Sequence, residues 1–446
     1  MWFDRERFPL IEDAVAKLAA GYSNLPADDS APDWDAIKDV LGRTAERLHD
    51  NFPYGHPLYA GQMLKPPHPV AQLAYWLATF INPNNHALDG GRASSAMEKE
   101  VVAELAGMFG FGEQHLGHLT SGGTMANLEA LYVAGQEREG VILASEQAHY
   151  THSRISGVLR LPFESVPVDR FARMDMDALE QRLKQGGVST IVATLGTTAA
   201  GAVDPLVDII RLAREHGVRV HVDSAYGGYF MLAEGLSEKA VMAYGMIREA
   251  DSVVIDPHKH GLQPYGCGCI LFRDPKVGRH YAHDSPYTYF SSDELHLGEI
   301  SLECSRAGAA AVALWATHQL LPPERGGEFA NDLDRCLTAA HQLHGDLAQS
   351  EHWQTFMPPE LDIILFAEKG GDSASVSARS QAIFEAAAKQ DLHIAVARFP
   401  RALIEPWWPQ LEWNSDSITL LRSCLMKPEH LHWLPEIRNR LEESLN

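Results

Sequence analysis

The chain has 446 residues, 45% hydrophobic and 22% charged, the balance of an ordinary folded protein with material for a large core. Its length fits about two to three domains. With 59 Asp plus Glu against 37 Lys plus Arg, the formal net charge is −22, which argues against binding nucleic acid or an anionic membrane, both of which need a basic footprint.

The first seven residues, MWFDRER, carry charges where a signal peptide would need an apolar core. The five cysteines, Cys267, Cys269, Cys304, Cys336 and Cys424, are odd in number and lack framework spacing, which implies reduced thiols and a cytoplasmic protein. Residues 10–50 are predicted helical: Leu10, Ile11, Ala14, Val15 and Leu18 keep helical spacing, and Trp34, Ile37, Val40 and Leu41 resume it. The Pro- and His-rich stretch 52–69 is predicted irregular, and helices are expected over 70–80 and 94–109. Beyond these, β-rich runs at 141–144, 165–168, 190–195, 218–223, 252–256 and 269–273 alternate with helix-length segments. Several are apolar throughout, as strands covered on both faces are, so an α/β domain with a mostly parallel sheet is expected. A helix over 307–321 reads as the start of a connection out of that domain; its apolar run, 307–316, is too short for the ~20 residues a bilayer demands. After Pro323, helical stretches alternate with runs at 361–367, 393–399 and 417–425. The predicted organisation is an N-terminal helical segment (1–68), a large α/β domain (69–325) and a small C-terminal α+β domain (326–446).

Chemistry concentrates at predicted strand ends. HVDSAYGG at 221–228 and DPHKHG at 256–261 each follow a β-branched run, which puts Asp223 and Lys259 on one rim of the sheet, where open α/β folds bind ligands. A lysine there can form a Schiff base with an aldehyde, and an aspartate can keep a pyridine nitrogen protonated. Singly, each also has an ordinary use, as helix cap or solvated loop lysine. The stretch 119–127, LTSGGTMAN, joins small residues to a helix start and offers backbone N–H groups to a phosphate, although it is neither a Walker loop nor G-x-G-x-x-G. His149, closing SEQAH at 145–149, can stack on a planar cofactor, and TLGTT at 194–198 supplies hydroxyls at another strand end.

In this order, SEQAH, TLGTT, HVDSAYGG and DPHKHG resemble the group II pyridoxal-phosphate-dependent amino-acid decarboxylases, which include the aromatic-L-amino-acid, tyrosine and glutamate decarboxylases. HPLYAGQM at 56–63 is similar to the family's HP-x-F motif, and the likeness runs to about Arg306. The resemblance implies a fold-type I enzyme, a homodimer whose active sites draw on both subunits, acting on an amino acid with pyridoxal 5′-phosphate as cofactor. It makes Lys259 the Schiff-base lysine and Asp223 the pyridinium partner. His149 would stack on one face of the ring and Ala225 pack on the other. Gly123 and Thr124 would bind phosphate, Thr194 would lie beside the ring or the aspartate, and His258 would reach the cofactor or its phosphate from the other side. Tyr59 and Gln62 would line the substrate pocket or pack in the core.

Two departures stand out. Many members have Asn where this chain has Asp256, a carboxylate that would repel phosphate unless turned toward His258 or another cation. The segment from Tyr287 to Arg306 is also short beside the animal enzymes, whose loop carries a proton-donating tyrosine; Tyr289, Tyr287 and Tyr281 are candidates. Decarboxylation of an L-amino acid, aromatic or acidic, is the reading taken. An aldehyde synthase or carbon–carbon lyase on the same fold is the alternative. A metal site on His149, His152, His258, His260, Cys267 and Cys269 matches no zinc spacing, and a non-catalytic regulator would have little reason to keep both Lys259 and Asp223.

Overall fold

The computed structural model describes residues 4–26, 30–282 and 296–445. Helices α1 (Arg7–Ala20) and α2 (Trp34–Leu48) come first. The Asp33 side chain caps α2 by accepting from Ala36 N–H at 3.0 Å, yet none of the fifteen residues of α2 is buried. Next come α3 (Pro69–Thr79), entered through a proline that needs no N–H partner, and α4 (Arg92–Met108). In between, Ala60 N–H donates to His393 O and Cys424 N–H to Ala60 O, so the irregular stretch around residue 60 joins C-terminal structure.

The large sheet holds β1 (Leu116–Thr120), β2 (Val141–Ser145), β3 (Phe163–Val166), β4 (Val188–Thr194), β5 (Arg219–Asp223), β6 (Ser252–Ile255) and β7 (Gly268–Phe272). Their order across the sheet is β1-β7-β6-β5-β4-β2-β3. Of these strands only β7 runs against its neighbours, β1 and β6. Between strands lie α5 (Gly123–Glu137), α6 (Thr151–Leu159), α7 (Met176–Lys184), α8 (Leu206–His216) and α9 (Glu238–Gly245). The run VSTIVAT of β4 is buried at every position, as a central strand with both faces covered must be. In α8, Leu206, Ile209, Ile210 and Ala213 recur at helical spacing and form its buried stripe.

The predicted helix near 307–321 is α10 (Gly308–Leu320), and it packs against α3 and α4 instead of leading away. Its buried residues include the small Ala309, Ala310, Ala311 and Ala313, which allow close packing around the helix. The second sheet, antiparallel in the order β10-β11-β9-β8, comprises β8 (Trp353–Phe356), β9 (Ile363–Glu368), β10 (Ala395–Pro400) and β11 (Ser417–Cys424). The remaining helices are α11 (Glu328–Gln349), α12 (Ser373–Ala388), the single turn α13 (Arg401–Ile404) and α14 (His430–Glu443). Leu58 and Ala60 share a core with α11, α12 and α14, which ties the N-terminal stretch to this layer. Strands β1 and β8 escape a search for β-branched runs, and β3 starts two residues before the predicted run at 165. Among the described residues no helix is long and apolar enough to cross a membrane.

Candidate active site

The carboxyl ends of β4, β5 and β6 and the turn after β2 face one cavity of about 320 Å³. That size falls within the ~300–1,000 Å³ usual for small-molecule sites. Lys259, Asp223, His149, Ala225, Gly123, Thr124, Thr194 and His258 all line it, so the structure gathers in one place the residues the sequence singled out for cofactor binding.

Lys259 stands one turn after Asp256, its N–H donating to Asp256 O at 2.9 Å, and its Nζ lies 3.1 Å from Asp256 Oδ2. His258 Nε2 is 3.6 Å from the same oxygen. The Asp256 carboxylate has thus turned toward two nitrogen bases, while its Oδ1 is buried without a partner. Burial lowers the pKa of His258, and the Asp256 charge opposes that.

Asp223 ends β5 beside Thr194, its register partner on β4. Its Oδ1 accepts from Ala225 N–H at 3.1 Å and its Oδ2 from His152 Nε2 at 2.8 Å. Burial alone would raise the Asp223 pKa; the His152 hydrogen bond, with the charges of His152 and Lys259, outweighs it and holds the carboxyl well below its usual range. Thr194 Oγ1 is buried with no partner. The Thr194 main chain is clamped by Asp204, whose Oδ2 accepts its N–H at 2.8 Å and whose Oδ1 accepts from Met174 N–H at 2.7 Å. Burial pushes Asp204 up to about 7. His149 touches Thr151 Oγ1 through Nδ1, and burial depresses its pKa against the pull of Asp223.

The small-residue loop forms the N-terminus of α5. Gly122 sits at φ +148°, a conformation side chains rarely adopt, and a Cβ on Gly123 would come within 2.6 Å of Asp256 Oδ2. Helix geometry leaves the first N–H groups of α5 without intrahelical partners, and Ser121 and Thr124 bring hydroxyls to the same wall.

Other expectations fare differently. Tyr59 is buried against Tyr54, with Lys427 Nζ 5.4 Å from its ring centre, and neither it nor Gln62 lines the cavity; packing is the reading the structure favours for Tyr59. Tyr281 is no candidate proton donor: it lies in the core beneath α5, where burial and Glu129 raise its pKa far above the usual phenol range. Tyr287 and Tyr289 fall outside the described residues. The four histidines considered as metal ligands take other partners or separate walls. His260 Nε2 is 3.2 Å from Asp362 Oδ2, and Asp362 Oδ1 accepts from Tyr226 OH at 2.5 Å.

Two functional-looking residues are not singled out by sequence pattern. His152 enters there only as a metal ligand, although its place three residues after His149, on the first turn of α6, brings it to Asp223. Arg422, a lone cation in the apolar strand β11, donates to the carbonyls of Thr198 at 2.6 Å, Ala199 at 3.2 Å and Gly61 at 3.2 Å, tying the small sheet to the cavity wall.

The donor set suits pyridoxal phosphate. It combines a primary amine, a buried carboxylate held ionised, an orphan hydroxyl on the strand beside that carboxylate and an open helix N-terminus. Residues 24–369 match the model of the pyridoxal-dependent decarboxylase conserved domain, a span that contains the whole large sheet. The chain belongs to the pyridoxal-dependent decarboxylase family. It is a carboxy-lyase of amino acids with pyridoxal phosphate as cofactor. Among relatives, L-tyrosine decarboxylase of Enterococcus faecium is 30% identical over 410 residues, covering 67% of each chain. L-2,4-diaminobutyrate decarboxylase of Acinetobacter baumannii is 28% identical over 404 residues, covering 82% of this chain and 77% of the relative. The crystal structure of mouse CSAD superposes with a TM-score of 0.79 at 20% identity over 97% of this chain and 91% of that one, a likeness of fold.

Proposed function

We propose that this decarboxylase removes the α-carboxylate of an aromatic L-amino acid, with Lys259 holding the cofactor's aldehyde carbon. The observation that carries the reading is the meeting of the Lys259 amine, the Asp223 carboxylate and the open N-terminus of α5 around one cavity. When bound, pyridoxal phosphate supplies an electron sink for the pair released as the Cα–carboxylate bond breaks. Asp223, kept ionised by its surroundings, would accept a hydrogen bond from the pyridine N–H and hold a proton on that nitrogen. The first N–H groups of α5, with Gly123 and Thr124, would take the phosphate. His149 and Ala225, both on the cavity wall, would pack on the two faces of the ring and hold it in place for the reaction. Thr194 offers its unpaired hydroxyl beside Asp223, and His258 closes the phosphate end.

What remains of the described lining favours an uncharged substrate side chain. Asp223 and Lys259 are committed to the cofactor, and Asp256 lies against Gly123 at the phosphate end. The other described lining side chains include Ser121, Met125, Asn127, Thr151, Thr198 and Tyr226, none of which carries a full charge to pair with an ionic substrate side chain. An aromatic side chain needs no such partner. The test is CO₂ release from L-tyrosine, L-tryptophan and L-phenylalanine set against L-aspartate, L-glutamate and L-2,4-diaminobutyrate. Aromatic substrates should turn over at least about tenfold better in kcat/KM, and a charged substrate ahead of all three would overturn the assignment.

We further propose that the enzyme is a homodimer. In α2, Trp34, Ile37, Val40, Leu41 and Leu48 are exposed, an apolar face that a second copy would cover. All five cysteines are unpaired, which supports a reducing, cytoplasmic location.

A further inference from the structure

Asp223 can serve a protonated ring nitrogen only if it stays ionised and aimed, and main-chain geometry supplies only part of that. Ala225 N–H satisfies Oδ1, but Oδ2 rests on a side chain from another element, His152 of α6. We propose that His152 is a positioning residue that fixes the orientation and charge of Asp223, acting through that carboxylate and never touching the substrate. The proposal rests on the reading of Asp223 as partner of the cofactor's nitrogen.

The contact is built, since both side chains are buried and His152 Nε2 lies 2.8 Å from Asp223 Oδ2. His152 is absent from the cavity lining, so its reach toward the cofactor passes through Asp223. His152 Nδ1 is buried with no partner, a cost that an apolar residue of similar size would avoid. The hydrogen bond it gives, rather than packing, accounts for a buried imidazole left half unsatisfied. Surrounding groups leave that bond uncontested. His221, whose ring centre is 6.4 Å from that of His152, is pushed down to about 3 by burial and by His152, and it spends both nitrogens on Asn127 and Ser252. His149 lies on the same turn, and Lys259 and Asp256 face Asp223 from the turn after β6.

The test compares His152→Leu, His152→Gln, His152→Asn and Asp223→Asn. Readouts are pyridoxal phosphate affinity by titration of apoprotein, the pH titration of the holoenzyme's visible band, and thermal melting. Gln can place an amide where Nε2 stands, whereas Asn reaches only the position of Nδ1. His152→Leu and His152→Asn should weaken cofactor binding by about tenfold and shift the band titration in the direction given by Asp223→Asn. His152→Gln should stay within about threefold of the parent, and His152→Leu combined with Asp223→Asn should be no worse than Asp223→Asn alone. If His152→Leu does not fold, the Gln and Asn variants decide, and equal behaviour of those two overturns the proposal. Parent-like affinity and band titration in His152→Leu, with both altered in Asp223→Asn, would also overturn it while leaving the Asp223 reading intact. If Asp223→Asn itself changes neither, the reading of Asp223 fails and this proposal with it.

Discussion

Asp256 puts a carboxylate beside the helix end that offers N–H groups to an anion. In the structure Lys259 Nζ at 3.1 Å and His258 Nε2 at 3.6 Å face it. With Lys259 engaged by a cofactor, its amine would no longer be free to balance Asp256, and the carboxylate would face a phosphate bound at that helix end. Repulsion between such charges is worth up to a few kcal/mol at an effective dielectric of about 20. Asp256→Asn should therefore tighten pyridoxal phosphate binding by about tenfold or more in apoprotein titration; unchanged or weaker binding would mean that the phosphate lies elsewhere. Asp223→Asn should keep cofactor bound through Lys259 yet lower kcat by about a hundredfold or more, because the ring nitrogen loses its anionic partner. Near-parental turnover would reduce Asp223 to a structural part. Lys427 gives a third expectation. It is buried, donating to Tyr59 O at 2.6 Å and Leu64 O at 3.3 Å, and burial lowers its pKa to about 7 from the ~10.4 of an exposed lysine. Between those values the unfolded chain binds more protons than the folded one, so folding stability rises with pH from about 7 to 10, and below 7 the full cost of burying the charge applies. The melting temperature of the parent should gain on that of Lys427→Met as pH rises through this window, and a difference independent of pH would contradict the assignment.

At the scale of elements, the N-terminus of α5 carries the phosphate reading, and Gly123 is its tightest point. A methyl group there would meet Asp256 Oδ2 at 2.6 Å, so Gly123→Ala should raise the cofactor Kd by about tenfold or more while leaving circular dichroism unchanged. Parent-like affinity would place the anion elsewhere. This loop was legible in the sequence because a run of small residues directly before an apolar helix marks a helix N-terminus that an anion can approach, and the strand ends bearing Asp223 and Lys259 were legible too. Strand β1 was not: LGHLT holds a glycine and a histidine and is too short for alternation to register, although all five positions are buried. The helix α10 was placed correctly, but its packing on α3 and α4 depends on partners far away in sequence. The role of His152 was hidden for a similar reason, since nothing local ties α6 to the end of β5. The pairing of β2 with β4 and of β4 with β5, together with the turn that starts α6 after β2, brings them together.

For the whole molecule, the proposed pairing of two copies rests on the exposed apolar face of α2. Leu41→Glu combined with Trp34→Glu should shift the species seen by sedimentation from dimer to monomer, while a parent that is already monomeric and active at micromolar concentration would contradict the paired state. The domain limits near residues 68 and 325 remain a proposal, and the contacts of residues 58–60 with the C-terminal layer show that chain order and spatial grouping part company at the first of them. Whether Lys259 carries the cofactor in a site built from strand ends is tested most directly by one measurement. Borohydride reduction of the purified, cofactor-loaded protein, followed by protease digestion and mass spectrometry, should place a pyridoxyl group on Lys259. The same label on another lysine, or none on Lys259 in protein that retains decarboxylase activity, would contradict it.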